Sequence, residues 1–154
     1  FGGHKYAAGL TLLEEDYAKF KAEFEKVVSE TIDPKLLKPQ LTIDTEIDFA
    51  DITQKFYRIL KQFAPFGPGN MAPVFMTQHL KDVGYGKCVG EDKSHFRVVV
   101  KQGNSAQFTG IGFGMGDKHD IACKGKPFKA AYVVDENELQ GTVSLQLRLK
   151  DIKP

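Results

Sequence analysis

The sequence predicts an α+β protein in which a small αβ segment precedes an antiparallel β-barrel. Three features predict this class. Apolar residues fall at helical spacing over residues 13–28, two prolines interrupt residues 34–40, and short strands bounded by turn residues fill the chain after residue 73. Several short strands in about 110 residues are typical of a small closed or partly open barrel.

The first 33 residues are predicted to contain one strand and one helix. Residues 6–12 are short, apolar and interrupted by glycine, which favours a strand. Thr11 and Glu14 have the spacing of a capping box, which predicts a helix start, and Asp33-Pro34 marks the helix end. The apolar stripe of this helix is Leu13, Tyr17, Phe20, Phe24, Val27 and Val28.

A linker over residues 34–40 is expected to separate this segment from a second domain over residues 41–154. Residues 41–49 alternate between apolar and polar side chains, which predicts a strand with Asp44, Glu46 and Asp48 on a solvated face. Asp51 or Thr53 is then expected to cap a helix that stops at residue 64. Its predicted apolar stripe is Ile52, Phe56, Ile59, Leu60 and Phe63.

The remainder of the second domain is predicted to be β-structure. The segment PFGPGNMAP contains three prolines and two glycines, which exclude helix and central strand and predict a shaped loop. Strands are predicted over residues 74–83, 86–90, 95–102, 107–113, 128–135 and 142–152. No helix is expected within residues 117–126, which have no apolar stripe.

Composition excludes several classes of protein. No apolar run approaches the ~20 residues needed to cross a bilayer, and the first residues do not resemble a secretion signal. Two cysteines are too few for a disulfide framework, so a cytoplasmic location is expected. The chain begins with Phe rather than Met, and we therefore expect it to be part of a longer protein.

Charge is sorted along the chain, although Lys plus Arg number 21 and Asp plus Glu number 20. Residues 14–51 contain 11 acidic and 5 basic side chains, whereas residues 81–129 contain 9 basic and 5 acidic ones. A local anion-binding face and an ordinary solvated surface of mixed sign both explain this distribution.

Most motifs that could carry chemistry have a simpler structural explanation. Gly112, Gly114 and Gly116 lack the strand and helix context of a dinucleotide-binding loop, so a glycine-rich turn is favoured. His119, Asp120 and Cys123 match no metal-site spacing. Because no hydrolytic motif occurs either, we predict no catalytic residue and no metal ligand in this chain.

Two groups of residues are candidates for nucleic-acid contacts. Gly2, Gly3 and His4 could bind a phosphate through backbone N–H groups and an imidazole, or could form an ordinary turn. Basic and aromatic residues of the β-region could bind single-stranded DNA, and the alternative is that the aromatic rings are core and the lysines only solubilise. The single-strand candidates are Lys87, His95, Arg97, Lys101 and Phe108.

Three stretches, FGGHKYAAGLTL, LKQFAPFGPGNMAPVF and LQLRLKDIKP, resemble the C-terminal part of the RecJ family of single-strand-specific DNA exonucleases, within the DHH phosphoesterase superfamily. The resemblance implies that residues 1–33 end a DHH-associated domain, with Gly2, Gly3 and His4 facing the nuclease cleft, and that residues 41–154 form an OB-like barrel. Ala64 and Met71 stand where the family often has Glu and Pro. The resemblance also implies that the parent protein is a 5′→3′ exonuclease that acts in DNA repair and recombination and uses Mg²⁺ or Mn²⁺.

This chain contains no Asp-His-His signature, so it is expected to be inactive alone and to hold no cofactor. Single-stranded DNA is the expected partner, and a single-strand-binding protein is a second candidate. The competing hypothesis is a structural or protein-interaction domain, which the net charge of +1 and the absence of Trp favour.

Overall fold

A computed structural model describes residues 1–139 and 141–154 and divides the chain into two compact units, Phe1–Gln40 and Leu41–Pro154. The first unit begins with a hairpin of β1 (Gly2–His4) and β2 (Ala7–Gly9). Gly3 lies opposite Ala8 in this hairpin, and a Cβ at Gly3 would lie 2.7 Å from the Ala8 Cβ. The close approach of the two strands therefore requires glycine at position 3.

The first helix starts later than the capping-box pattern predicted. A 3-10 turn over Glu14–Asp16 leads into α1 (Tyr17–Thr31). Neither Leu13, which precedes the turn, nor Asp16, which precedes α1, makes a side-chain capping hydrogen bond. The predicted strand over residues 6–12 is also wrong in extent, because Tyr6 belongs to the hairpin turn. No residue of this unit is buried, so the apolar stripe of α1 has no core of its own to cover it.

The second unit begins with an irregular segment rather than the predicted long strand. Only Thr45–Glu46 forms a paired strand, β3, which runs parallel to the first barrel strand, and hydrogen bonds from the Asp44 and Ile47 N–H groups to the Val74 and Met76 carbonyl oxygens flank this pairing. The helix α2 (Gln54–Lys61) follows, and its N-cap is Thr53, whose side chain accepts a hydrogen bond from the Phe56 N–H at 3.1 Å. Contrary to the predicted stripe, Ile59 and Phe63 are exposed and Tyr57 is buried instead.

Five strands close into a barrel. They are β4 (Phe75–Asp82), β6 (His95–Gln102), β7 (Phe108–Gly112), β8 (Phe128–Leu139) and β9 (Thr142–Lys153), with β5 (Lys87–Val89) added beside β6. Hydrogen-bonded pairs connect β4 to β8, β8 to β9, β9 to β7, β7 to β6 and β6 back to β4. All these pairs are antiparallel except β7 with β9, and the closed ring confirms the predicted α+β barrel architecture.

The barrel interior is filled by the inward residues of the alternating strands. Phe96, Val98 and Val100 of β6 are almost fully buried, and Phe49 packs edge-on against Phe108 and Tyr132. Each large apolar side chain contributes about 1.5–3 kcal/mol when fully buried. The inward positions of β6 are therefore fixed, and its outer face is left for other contacts.

One helix was not predicted. α3 (His119–Cys123) lies between β7 and β8, and only Ala122 within it is buried. A helix of five residues is too short to show an apolar period, which explains the error in the expectation for residues 117–126. None of the helices within residues 1–139 and 141–154 is long and apolar enough to cross a membrane.

Candidate nucleic-acid interface

Four cations gather along β6 in two cross-strand pairs. Lys87 of β5 lies opposite Arg97, and Lys81 of β4 lies opposite Lys101. All four side chains are exposed, and those of Arg97 and Lys101 alternate with the buried residues of β6. Together with Tyr85, they form a surface that we call the β6 face.

Like charges directly opposite each other destabilise a β-ladder. In the part of the chain that the structure describes, none of the four cations of the β6 face makes an ion pair with a carboxylate. The repulsion within each pair is therefore uncompensated by protein groups. A polyanion that lies across both pairs would relieve it.

The loop between β4 and β5 holds Tyr85 out from the barrel. Asp82 accepts hydrogen bonds from the backbone N–H groups of Tyr85 and Gly86, each at 3.3 Å. Gly86 packs so closely on Cys123 that an added Cβ would collide with the sulfur. Tyr85 is 70% exposed and stands at a depression of about 320 Å³ that Lys87, Arg97 and Val99 also line.

Cys123 supports this loop as a neutral thiol. Burial, followed by the charge of Asp82 and a hydrogen bond with its carboxylate, raises the pKa of Cys123 to about 11. A thiol that stays protonated at neutral pH is a poor nucleophile and a poor metal ligand. The sulfur is therefore a packing and hydrogen-bonding group beneath the Tyr85 loop.

His95 is less available than the sequence suggested. Its Nδ1 accepts a hydrogen bond from the Gly114 N–H at 3.1 Å and lies 3.1 Å from Ser94 Oγ, and its ring meets Phe113 edge-on. These contacts hold the glycine-rich turn that follows β7. His95 therefore serves first to position this turn, and only its Nε2 is left for a ligand.

Phe108 must be removed from the candidate stacking residues. It is 7% exposed, and its ring centroid lies 5.0 Å from that of Phe49 in the barrel core. A base cannot reach a ring face that is covered by the core. The alternative, that the aromatic rings of the β-region are core, is correct for Phe108 and wrong for Phe113, which is exposed.

Gly2, Gly3 and His4 occupy an extended strand, so their backbone does not form an anion nest. Successive N–H groups of a strand point to opposite edges and do not converge on one ligand. His4 is nevertheless oriented, because its Nδ1 accepts a hydrogen bond from the Tyr6 N–H at 3.3 Å. In the neutral imidazole this contact places the remaining proton on Nε2, where it could be donated to a phosphate oxygen.

The described residues do not fit the divalent metals that the family resemblance implies. Within residues 1–139 and 141–154, no group of three or more His, Cys, Asp or Glu side chains could hold a metal ion. His119 and Asp120 contact each other at 3.2 Å, and Cys123 is protonated. No step of a reaction is therefore assigned to a metal held by this chain.

Lys81 and Tyr85 were missed by sequence reasoning. Lys81 could not be found from alternation, because a period of two from the buried Phe75 and Thr77 places it on the inner face, and only the register shift between Thr77 and Leu80 turns it outwards. Tyr85 had no sequence signal either. It stands between two glycines in a turn, and its exposure depends on the Asp82 hydrogen bonds and on the contact of Gly86 with Cys123.

Comparisons with known proteins agree with this architecture. A family model described as the RecJ OB domain matches residues 43–151. Among solved structures, RecJ of Thermus thermophilus in complex with Mn²⁺ superposes with a TM-score of 0.74 at 22% identity, covering 99% of this chain and 21% of that one. The predicted OB-like barrel is thereby confirmed.

Two curated relatives are each named single-stranded-DNA-specific exonuclease RecJ. The protein of Salmonella typhimurium is 32% identical over 165 residues, and that of Escherichia coli is 31% identical over 155 residues. Both alignments cover 100% of this chain, which spans only 26% of the length of either relative. The family match over residues 43–151 and these alignments confirm the predicted resemblance, and the chain belongs to the RecJ OB domain family.

Proposed function

We propose that this chain is the C-terminal, DNA-binding portion of a single-stranded-DNA-specific exonuclease. The observation that carries the proposal is the β6 face, with two unneutralised cation pairs beside an exposed tyrosine. In OB folds, the ligand face is built from the second and third barrel strands and the loop between the first and second. β6, β7 and the Tyr85 loop occupy these positions.

Each element of the β6 face has a separate role in this proposal. Lys81, Lys87, Arg97 and Lys101 contact phosphates, and Tyr85 provides a ring on which one base stacks. A stacked base contributes about 1–3 kcal/mol and is tolerant of sequence, whereas each phosphate contact makes affinity depend on salt. We therefore expect binding with little sequence preference and a strong dependence on ionic strength.

Residues 1–33 are proposed to end a DHH-associated domain, and residues 34–40 to link it to the barrel domain. The absence of any buried residue in Phe1–Gln40 supports this, because a unit without a core needs other chain segments to cover its apolar stripe. Gly2, Gly3 and His4 are the proposed phosphate-binding segment, in which His4 makes the contact and the two glycines carry no side chain that would obstruct it. The His4 Nε2 proton is the group that would donate to the phosphate.

Cleavage is assigned to the rest of the parent enzyme, because the described residues offer no metal site. We propose a 5′→3′ exonuclease that uses Mg²⁺ or Mn²⁺ and acts in the cytoplasm in DNA repair and recombination. The 154-residue chain alone is expected to show no nuclease activity. A single-strand-binding protein is the further partner that we propose for the parent.

The test is fluorescence anisotropy of labelled oligothymidylate at two salt concentrations. Arg97→Glu and Lys101→Glu should each weaken binding at least about tenfold at low salt, because a charge reversal replaces an attraction with a repulsion. Arg58→Glu is the matched control, since Arg58 is exposed on α2, outside the barrel strands.

The competing hypothesis, a structural or protein-interaction domain, predicts a different result. The wild-type chain would then show no salt-dependent binding, or all three variants would bind alike. Metal-dependent cleavage by the purified chain would contradict the assignment of catalysis to the rest of the parent enzyme.

A further inference from the structure

A second depression lies elsewhere on the outer surface of the barrel domain. It has a volume of about 570 Å³ and lies between the segment that precedes β3, the loop before β4, and the outer faces of β8 and β9. Met71 is 75% exposed and Phe66 is 37% exposed. The residues that line this depression, which we call the groove, include Leu41, Phe66, Met71, Val133, Arg148 and Lys150.

The loop that carries Phe66 and Met71 is fixed rather than adaptable. Gly67 and Asn70 exchange two backbone hydrogen bonds of 2.9 Å, and the Asn70 side-chain amide donates to the carbonyl oxygens of Phe63 and Pro65. This loop contains the PFGPGN motif, which belongs to one of the three stretches that resemble the RecJ family. No residue of the loop belongs to the β6 face. Its geometry presents an aromatic ring and a thioether at the rim of the groove.

The groove is continuous with the β6 face through the strand register. Lys87 pairs with Arg97, Arg97 with Ile111, Ile111 with Arg148, and Arg148 with Val133. These residues therefore form one transverse row around the outside of the barrel. At the usual spacing of about 4.8 Å between strands, three steps from Lys87 to Arg148 span about 14 Å, which is a few nucleotides.

We propose that this groove is a second nucleotide subsite, in which the single strand that crosses the β6 face continues over Ile111 and places a base against Phe66 and Met71. Arg148 and Lys150 contact its phosphates. The proposal rests on the proposed function, because it extends the path of the same DNA strand.

Charge favours DNA over an apolar or cationic peptide as the occupant. Arg148 and Lys150 are both exposed at the groove, and the carboxylate of Asp44 is already engaged by the Val74 N–H at 2.8 Å. Asp135 lies 3.9 Å from Arg148, a separation that leaves the guanidinium able to turn towards a phosphate. An aromatic ring beside cations is the combination that single-strand binders use.

The first test compares the salt dependence of binding to oligothymidylate of about 12 nucleotides. Arg97→Gln and Arg148→Gln should each reduce the slope of log K against log salt by about 0.7, and the double variant by about twice that value. Arg58→Gln is the control and should leave the slope unchanged.

The second test locates the bases directly. Oligonucleotides with a single 5-iodouracil at successive positions are irradiated on the chain, and the crosslinked peptides are identified by mass spectrometry. We expect one position to crosslink to Tyr85, and a position several nucleotides away to crosslink to Phe66 or Met71. Phe63, which is 63% exposed but does not line the groove, should not be labelled.

The outcomes separate this inference from the function on which it rests. Absence of salt-dependent binding by the wild-type chain would overturn both. If binding requires Arg97 but Arg148→Gln behaves like Arg58→Gln, and no crosslink reaches Phe66 or Met71, the second subsite is wrong and the β6 face stands. Binding of an acidic apolar peptide to the groove, together with an absence of DNA crosslinks there, would identify a protein-binding site instead.

Discussion

Lys87 and Arg97 lie directly opposite each other across the β5–β6 ladder, without a carboxylate paired to either in the part of the chain that the structure describes. Lys81 and Lys101 repeat this relationship across β4 and β6. A fold selected only for stability would place opposite charges at such positions. Under the proposed function, an anionic ligand completes this surface and offsets the repulsion within both pairs.

Lys87→Thr should therefore stabilise the free chain while weakening its binding to DNA. Removing the repulsion should increase the free energy of unfolding by about 0.2–1 kcal/mol, and threonine also suits a strand. Urea denaturation without DNA and anisotropy with DNA measure the two effects. Lys87→Arg keeps both charges and should change neither quantity; a loss of stability in Lys87→Thr would contradict the interpretation.

The Tyr85 loop provides a second prediction. Gly86→Ala should displace the loop, because the added Cβ meets Cys123, and should weaken DNA binding several-fold through lost stacking. The salt slope should change little, since the four cations remain. Gly9→Ala is the control, because a Cβ there has open space. If the loss appears as a reduced salt slope instead, the loop acts through Lys87 and Arg97 and not through Tyr85.

A buried hydroxyl pair predicts how stability depends on pH. Thr77 Oγ1 donates to the Ile47 carbonyl oxygen at 2.6 Å, so the Tyr132 hydroxyl must donate to Thr77 Oγ1, also at 2.6 Å. Burial raises the pKa of Tyr132 from its ordinary value of 10.0 to about 12. The neutral phenol is therefore favoured in the folded chain.

Because the folded pKa lies above the unfolded one, the contribution of Tyr132 is fully present below pH 10 and is lost as pH rises towards 12. The loss is about 2–3 kcal/mol. Chemical denaturation at a series of alkaline pH values measures it. Tyr132→Phe should show a shallower decline between pH 10 and 12, and an equally steep decline would show that other groups, such as Cys123, account for the loss.

The strands could be predicted from the sequence where burial on one face imposes strict alternation. Residues 95–102 were predicted with the observed bounds, because Phe96, Val98 and Val100 fill the barrel while Arg97 and Val99, which separate them, are not buried. The same alternation over residues 41–49 failed. A period of two describes the side chains, whereas a strand also needs a partner, and only Thr45 and Glu46 have one.

The candidate site could be predicted only in part for the same physical reason. Arg97, Lys101 and Lys87 follow from local patterning, but the pairing that makes them a cluster depends on which strands become neighbours. Phe108 had the residue type of a stacking platform and the register of a core position. Only its contact with Phe49 decides between these roles.

The bulge in β4 gives a last prediction. His79 has φ +60° between Thr77, which pairs with β8, and Leu80, where pairing extends to β6 as well. This irregularity lets one strand serve both of its neighbours in the closed barrel. A non-glycine residue in this conformation costs about 1–2 kcal/mol, whereas glycine adopts it readily at a smaller entropic cost.

His79→Gly should therefore increase the free energy of unfolding by up to about 1 kcal/mol, measured by urea denaturation at constant m-value. His79→Ala is the matched control: it removes the imidazole but keeps the Cβ in the strained conformation, so no stabilisation is expected. Equal stabilisation of both variants would mean that the imidazole itself is unfavourable. Destabilisation by glycine would show that the side chain of His79 contributes contacts which outweigh the strain of the bulge.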